Sequence, residues 1–203
     1  MIKTAHIDDE TMSRRVARFS QLRPLPVQRG ADIPQAALDI VYARQLLSVI
    51  GLEKGAGSTP INAQAPIIGA GGMTMTLALC PPGQGPELHA HRQTFETFTV
   101  LEGRFEVCWN DHGENRLELD RFDTISVPPG VCRSFRNIGA EDALLQVIIT
   151  GGVHDMNDID FSAAVVPRIE AIDAEARPRL EALGFTFTAA GEAPAAVRET
   201  PTR

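Results

Sequence analysis

The chain has 203 residues, 43% of them hydrophobic and 22% charged, and carries a formal net charge of −7. That length favours one domain with irregular extensions, and the apolar fraction is enough to bury a real core. The acidic balance without a basic cluster argues against a nucleic-acid partner, and no apolar stretch is long enough to cross a bilayer.

The opening segment, "MIKTAHIDDETMSRR", is polar and lacks a basic start followed by an apolar run, so no secretory signal is predicted. Cys80, Cys108 and Cys132 are sparse and odd in number. They read as small apolar fillers in a reducing cytoplasm and not as a disulfide framework. Residues 1–52 form a predicted N-terminal arm. Within "LRPLPVQRGADIP", Pro24, Pro26, Gly30 and Pro34 interrupt any regular element. "AALDIVYARQLLSVIGL" opens with what reads as a helical turn, and "QLLSVIGL" reads as a buried strand, although periodicity cannot arbitrate over so short a run. The arm is expected to pack on the rest of the chain or on a second subunit, in a homodimer.

Residues 53–165 carry the β signal. "APIIGAGGMTMTLALC" predicts one or two strands about a glycine bend; "GAGG" lacks the strand–turn–helix context of a phosphate loop. Met73, Met75, Leu77 and Leu79 fall on one face of the second run. "FETFTVLEG" and "RFEVCWND" read as a pair of strands about a hairpin turn, with His112 at the tip of the next one. "RLELD", "TISVPPG", "CRSFRN" and "ALLQVIITGG" continue a series of short strands, which predicts an all-β sandwich or barrel. Residues 166–189 become helical: Ile169, Ile172, Ala176, Leu180 and Leu183 recur at helical spacing, Gly184 caps the end, and Pro178 splits the segment. Residues 190–203 read as a disordered tail.

One stretch carries chemistry. In "GQGPELHAHRQTFETFTVLEG", His89 and His91 stand two apart and so share a strand face, while Glu96, Phe98 and Val100 share a face of the next run. A bare H-x-H is most often an exposed pair beside an unrelated glutamate. If both faces line one interior, two imidazoles and a carboxylate form the facial set used by non-heme iron(II) enzymes, with Mn, Ni, Co or Zn as other occupants.

The spacing from Gly83 through His89, His91 and Glu96 to Gly103 resembles the first cupin motif at every position. "FDTISVPPGVCRSFRN" resembles the second, with Pro128, Gly130 and Asn137 in place. The resemblance covers roughly residues 65–152 and implies the small cupin barrel, a double-stranded β-helix or jelly roll. It departs twice: Phe122 stands where the family has glycine, and Arg133 stands where it has the last metal-binding histidine. Arginine stays protonated and cannot ligate a metal. His6, His112 and His154 offer no substitute, and Cys132 faces the other side of its strand.

An inward Arg133 about 5 Å from a divalent ion is repelled by roughly 6–7 kcal/mol at an effective dielectric near 20, so something anionic must offset it. Three arrangements satisfy that. An anionic substrate bridges the metal and Arg133; Glu96 pairs with Arg133 and no metal binds; or Arg133 turns to the barrel mouth. The favoured expectation is a metal-dependent, dioxygenase-like enzyme on a small organic acid or phenolic compound. His89, His91 and Glu96 would hold the ion, Arg133 would be catalytic by orienting a substrate anion, and Phe98, Val107, Trp109 and Phe135 would line the pocket. The alternative is a metal-free ligand-binding or isomerase-type cupin with a Glu96–Arg133 pair.

Overall fold

Short β-branched and aromatic runs with alternating burial build two six-stranded sheets. The computed structural model describes residues 2–30, 32–53, 64–151 and 156–190. The arm holds α1 (Asp9–Ser13), α2 (Val27–Gly30) and α3 (Gln35–Val41). Then come β1 (Gln45–Gly51), β2 (Ile67–Ile68), β3 (Met73–Cys80), β4 (His89–His91), β5 (Phe95–Glu102) and β6 (Phe105–Trp109). They are followed by β7 (Asn115–Leu119), β8 (Thr124–Val127), β9 (Arg133–Asn137), β10 (Ala143–Thr150) and β11 (Ile159–Ser162). The last elements are α4 (Val166–Ile172), α5 (Ala176–Ala182) and β12 (Thr186–Ala189).

One sheet runs β2-β1-β3-β10-β5-β8 and the other β12-β11-β4-β9-β6-β7. Their inner faces share one core: Ala78, Phe98, Val100, Val127 and Leu145 from the first meet Phe105, Val107, Leu119 and Phe135 from the second. This is the all-β double-stranded β-helix that the sequence implies. "LEG" is nevertheless not a hairpin turn. β5 pairs with β10 and β8, whereas β6 pairs with β7 and β9, so Gly103 carries the chain from one sheet to the other. It does so at φ +82°, and a Cβ there would lie 2.5 Å from Ala143 Cβ, so only glycine fits.

β3 faces the opposite way from what its apolar residues suggest. Thr74, Thr76, Ala78 and Cys80 are the alternate positions buried toward the interior, and Met75 and Leu77 lie in a cluster outside the barrel. The arm explains this, because Ala17 and Leu22 cover that outer cluster with Leu47 and Val49 of β1. Pro24 bridges to Leu47, and Gln28 caps the strand edge, donating from Nε2 to Ala43 O at 2.7 Å and accepting at Oε1 from Leu46 N at 2.9 Å. β2 pairs with β1 only at Ile50 and Gly51, and these arm contacts cover the edge of β1 that β2 leaves free.

The C-terminal helical segment is split, though not at Pro178. Asp173 adopts an extended conformation and ends α4, while Pro178 sits in the first turn of α5, where its missing N–H leaves no bond unmade. Ile169, Ala176 and Leu180 are buried with Ala37, Leu38 and Phe161, whereas Ile172 and Leu183 are exposed. Gly184 follows at φ +96° as the terminating residue. The expected tail lies outside the described residues beyond position 190, as does His154.

Candidate metal centre

β4 is three residues long and reads HAH, so period-two alternation buries both histidines on one face. Its neighbours fix that face. β11 runs antiparallel with His89 opposite Phe161, and β9 sets Arg133 opposite His89. The Phe161 ring stacks on His89 with centroids 4.9 Å apart. Glu96, from β5 of the other sheet, reaches across the barrel, its Oε2 lying 3.6 Å from His89 Nε2 and 3.7 Å from His91 Nε2. Among the described residues this is the one group of three potential ligand side chains, with their donor atoms within 4.8 Å of one another and all three residues buried.

The outer nitrogens of both rings are occupied. His89 Nδ1 lies 2.8 Å from Glu87 O, a carbonyl that can only accept, so Nδ1 carries the proton. His91 Nδ1 lies 3.1 Å from Asp158 Oδ2 and 2.9 Å from Thr94 Oγ1. Thr94 in turn donates to Asp158 Oδ2 at 2.5 Å, and Gln93 N donates to Oδ1 at 2.7 Å. Each imidazole so held turns its Nε2 toward Glu96. This is the orientation that outer hydrogen bonds impose on metal-binding histidines. Donor atoms about an ion at roughly 2.1 Å stand about 3.0–3.4 Å apart, and the two contacts of Glu96, at 3.6 and 3.7 Å, lie a few tenths of an ångström beyond that. The residues fit a divalent transition ion.

Electrostatics favour the ligating forms of His91 and Glu96. Burial pushes His91 toward the neutral state, outweighing the raising effect of Glu96. Burial works against the charge on Glu96, but Arg133, His91 and His89 together hold its carboxyl well below the usual carboxylate range. Asp158 likewise resists its burial through bonds from His91, Thr94 and Gln93, and is lowered to about 2.

Arg133 is 0% exposed and donates from Nε to Glu96 Oε2 at 2.8 Å. Its Nη1 faces the carbonyl oxygens of Val131 at 3.3 Å and His89 at 3.5 Å, and Nη2 has no hydrogen-bond partner among the described residues. The guanidinium therefore stands behind Glu96, and it does not line the adjoining cavity. Where a bridge from Arg133 to a substrate anion is expected, the arginine's contact in the structure is with the Glu96 carboxylate.

The cavity measures about 100 Å³. His89, His91, Glu96 and Asp158 form its polar side, and Val147, Ile149, Phe135 and Phe161 are among its apolar walls. The arm contributes Leu25 and Tyr42, whose phenol is pushed up by burial. Of the four residues expected to form a pocket, only Phe135 lines it. Phe98 and Val107 are fully buried in the packed core beyond, and Trp109, opposite Arg133 at the strand end, stays outside the lining. Inward direction alone did not distinguish the two ends of the barrel. Asp158, Thr94 and Phe161 went unrecognised. Asp158 lies 67 residues from His91 in sequence, and the one local signal is a pair of aspartates, Asp158 and Asp160, in an apolar strand run.

A family model described as a cupin domain matches residues 76–149. No curated protein matches the chain. Solved structures with likeness include the Cnp3 cupin domain of Schizosaccharomyces pombe, at 21% identity over 40% of this chain and 57% of that one, TM-score 0.37. A predicted oxalate decarboxylase from Thermotoga maritima aligns at 23% identity over 38% of this chain and 65% of that one, TM-score 0.36. A structure of the DMSP lyases RdDddP and RnDddQII aligns at 16% identity over 53% and 48%, TM-score 0.41. This chain spans just over half the length of the yeast domain. The family match covers residues 76–149 of the 203.

Proposed function

We propose, from the premise that residues 76–149 are a cupin domain, that the chain is a metal-dependent enzyme acting on a small organic acid inside the barrel. The observation that supports this most is the pair of imidazoles tied back at Nδ1, with both Nε2 atoms facing one buried carboxylate. Fe, Mn, Ni or Zn are the candidate ions; a bound ion of this kind supplies Lewis acidity, and iron also supplies oxygen chemistry, so dioxygenase-like oxidation is the reaction class proposed. His89, His91 and Glu96 would hold the ion, and all three line the cavity.

Arg133 neutralises Glu96, so the donor set carries less negative charge than two histidines and a free carboxylate. That favours an anionic ligand joining from the cavity. The apolar walls exclude water and hold the rest of the substrate. Size supports one of the two substrate classes considered over the other. The cavity of about 100 Å³ is smaller than the roughly 150 Å³ that accommodates benzene in a protein interior, which favours an acid of a few heavy atoms over a phenol.

The 2.8 Å contact between Arg133 and Glu96 supports a second reading, a metal-free ligand-binding cupin. Elemental analysis of protein prepared without chelators separates the two. About one divalent ion per chain is expected; no ion after dialysis against iron, manganese, nickel and zinc leaves the metal-free reading standing.

A further inference from the structure

The arginines of this acidic chain are not distributed evenly in their pairing. Arg14, Arg44, Arg92, Arg104, Arg116, Arg133, Arg136, Arg168, Arg177 and Arg179 each lie within 4 Å of a carboxylate. Among the described residues, Arg15, Arg18, Arg23, Arg29 and Arg121 do not. Four of these five belong to the arm.

Arg15 is used structurally, donating to the carbonyl oxygens of Ile68 and Gly69. Arg18, Arg23 and Arg29 instead line one cleft of about 420 Å³ between the arm and β1, together with Gln21, Gln64 and Ser48. Arg23 spends one nitrogen on the carbonyl oxygens of Ser20 and Leu22, which braces its guanidinium. The guanidinium groups of Arg18 and Arg29 make no hydrogen bond or ion pair to a described residue. Ser48 is 3% exposed, and its hydroxyl has no partner. Three like charges on one wall repel one another, and no described carboxylate offsets them. Guanidinium groups present paired donors suited to carboxylate and phosphate oxygens, and the cleft has the volume of a small-molecule site.

We propose that this cleft binds a small oxyanion of two or more negative charges, either a phosphate ester or a polycarboxylate. It is separate from the barrel's donor set and independent of whether that set holds a metal. The amides of Gln21 and Gln64 complete the polar wall, and one guanidinium alone would not hold such a ligand against water.

The test is calorimetric titration of metal-stripped full-length protein with inorganic pyrophosphate and with citrate at fixed ionic strength. At least one probe should bind saturably with one site per chain. A preference for pyrophosphate identifies the phosphate class, and the reverse preference identifies the polycarboxylate class. Arg18→Gln and Arg29→Gln should each weaken binding about tenfold or more, the loss of one charge-assisted contact. Arg121→Gln, which removes an arginine also without a carboxylate but bound to Leu101 O, should leave affinity unchanged. The proposal is overturned if neither probe binds the metal-stripped protein, or if Arg121→Gln weakens binding as much as Arg18→Gln. It also fails if binding needs added metal and ignores the arm arginines, because the anion then sits in the barrel.

Discussion

Within three residues of β5 the barrel interior changes character. Glu96 faces two histidines and a buried arginine, while Phe98 and Val100, the next two inward positions, are fully buried in apolar packing. β9 repeats the change, with Arg133 at one end and Phe135 beyond it. Phe135 marks the border: it packs edge-on against Phe98 at 5.0 Å and Phe105 at 6.0 Å, and it also lines the cavity. The two halves contribute different things. Each large apolar side chain in the packed half stabilises the fold by about 1.5–3 kcal/mol. The polar half buries charges whose mutual attraction does little more than offset their desolvation. Stability resides in one half and the candidate ligand set in the other, on the same strands.

The strongest way to break that contrast is His89→Ala with His91→Ala. Metal content should fall from about one ion per chain to none by elemental analysis, while the cooperative urea transition persists. Collapse of the transition would show that the two halves are one unit. Phe98→Ala should do the converse, costing about 3–5 kcal/mol in urea unfolding with metal stoichiometry retained. Arg133→Met removes one partner of a buried pair and leaves Glu96 charged without its counter-charge. A loss of about 3–5 kcal/mol is expected in metal-free protein. Added divalent metal should recover more of that loss than it adds to the wild type, since the ion replaces the missing positive charge.

Asp158→Asn sharpens the contrast at its edge. Asn keeps only one of the two accepting oxygens, so metal affinity should fall about 10–100-fold and unfolding stability by about 1–3 kcal/mol. The smallest effect lies on the outer side of β11. Asp160 accepts from Thr188 N at 2.8 Å, from Thr188 Oγ1 at 2.6 Å and from Arg92 at 2.7 Å. Burial opposes its charge, yet the Thr188 and Arg92 contacts hold it below the usual carboxylate range. A depressed carboxyl contributes stability that is present above its unfolded value and is lost as pH falls through the folded one. Exchange of the Thr188 amide should therefore accelerate only in acid, below the ordinary aspartate range, and in Asp160→Asn that acid step should disappear.

Much of this was readable from residues alone, for identifiable reasons. His89 and His91 fall on one face because strand period is two, and Glu96 joins them because its spacing follows a known motif. The alternation in β5, β6 and β9 correctly marks which side chains point inward. It is blind to depth along the strand, so Phe98, Val107 and Trp109 were grouped with Phe135 although only the last reaches the cavity. It is equally blind to what covers an outer face. Met75 and Leu77 share a face by alternation, and only the fold shows that the arm lies over it. Asp158 could not be assigned because its partner is brought to it only after the whole barrel closes, and Arg133's destination depended on which of two acceptors lay nearer.

β10 sits between β3 and β5 at the middle of its sheet. Its ladder runs from Ala143 to Thr150 against β3 and from Leu144 to Thr150 against β5. During synthesis, β3 and β5 therefore leave the ribosome with the strand that joins them still to come, and the sheet cannot form its centre until residue 150 has emerged. Until then two apolar strand edges stand unpaired, and the pairing that closes them is among the longest-range in the chain, a combination that slows folding and exposes the nascent chain to aggregation. Ribosome-bound chains stopped before residue 143 should accordingly be open to protease across β3 and β5, and chains extended well past residue 150 should not.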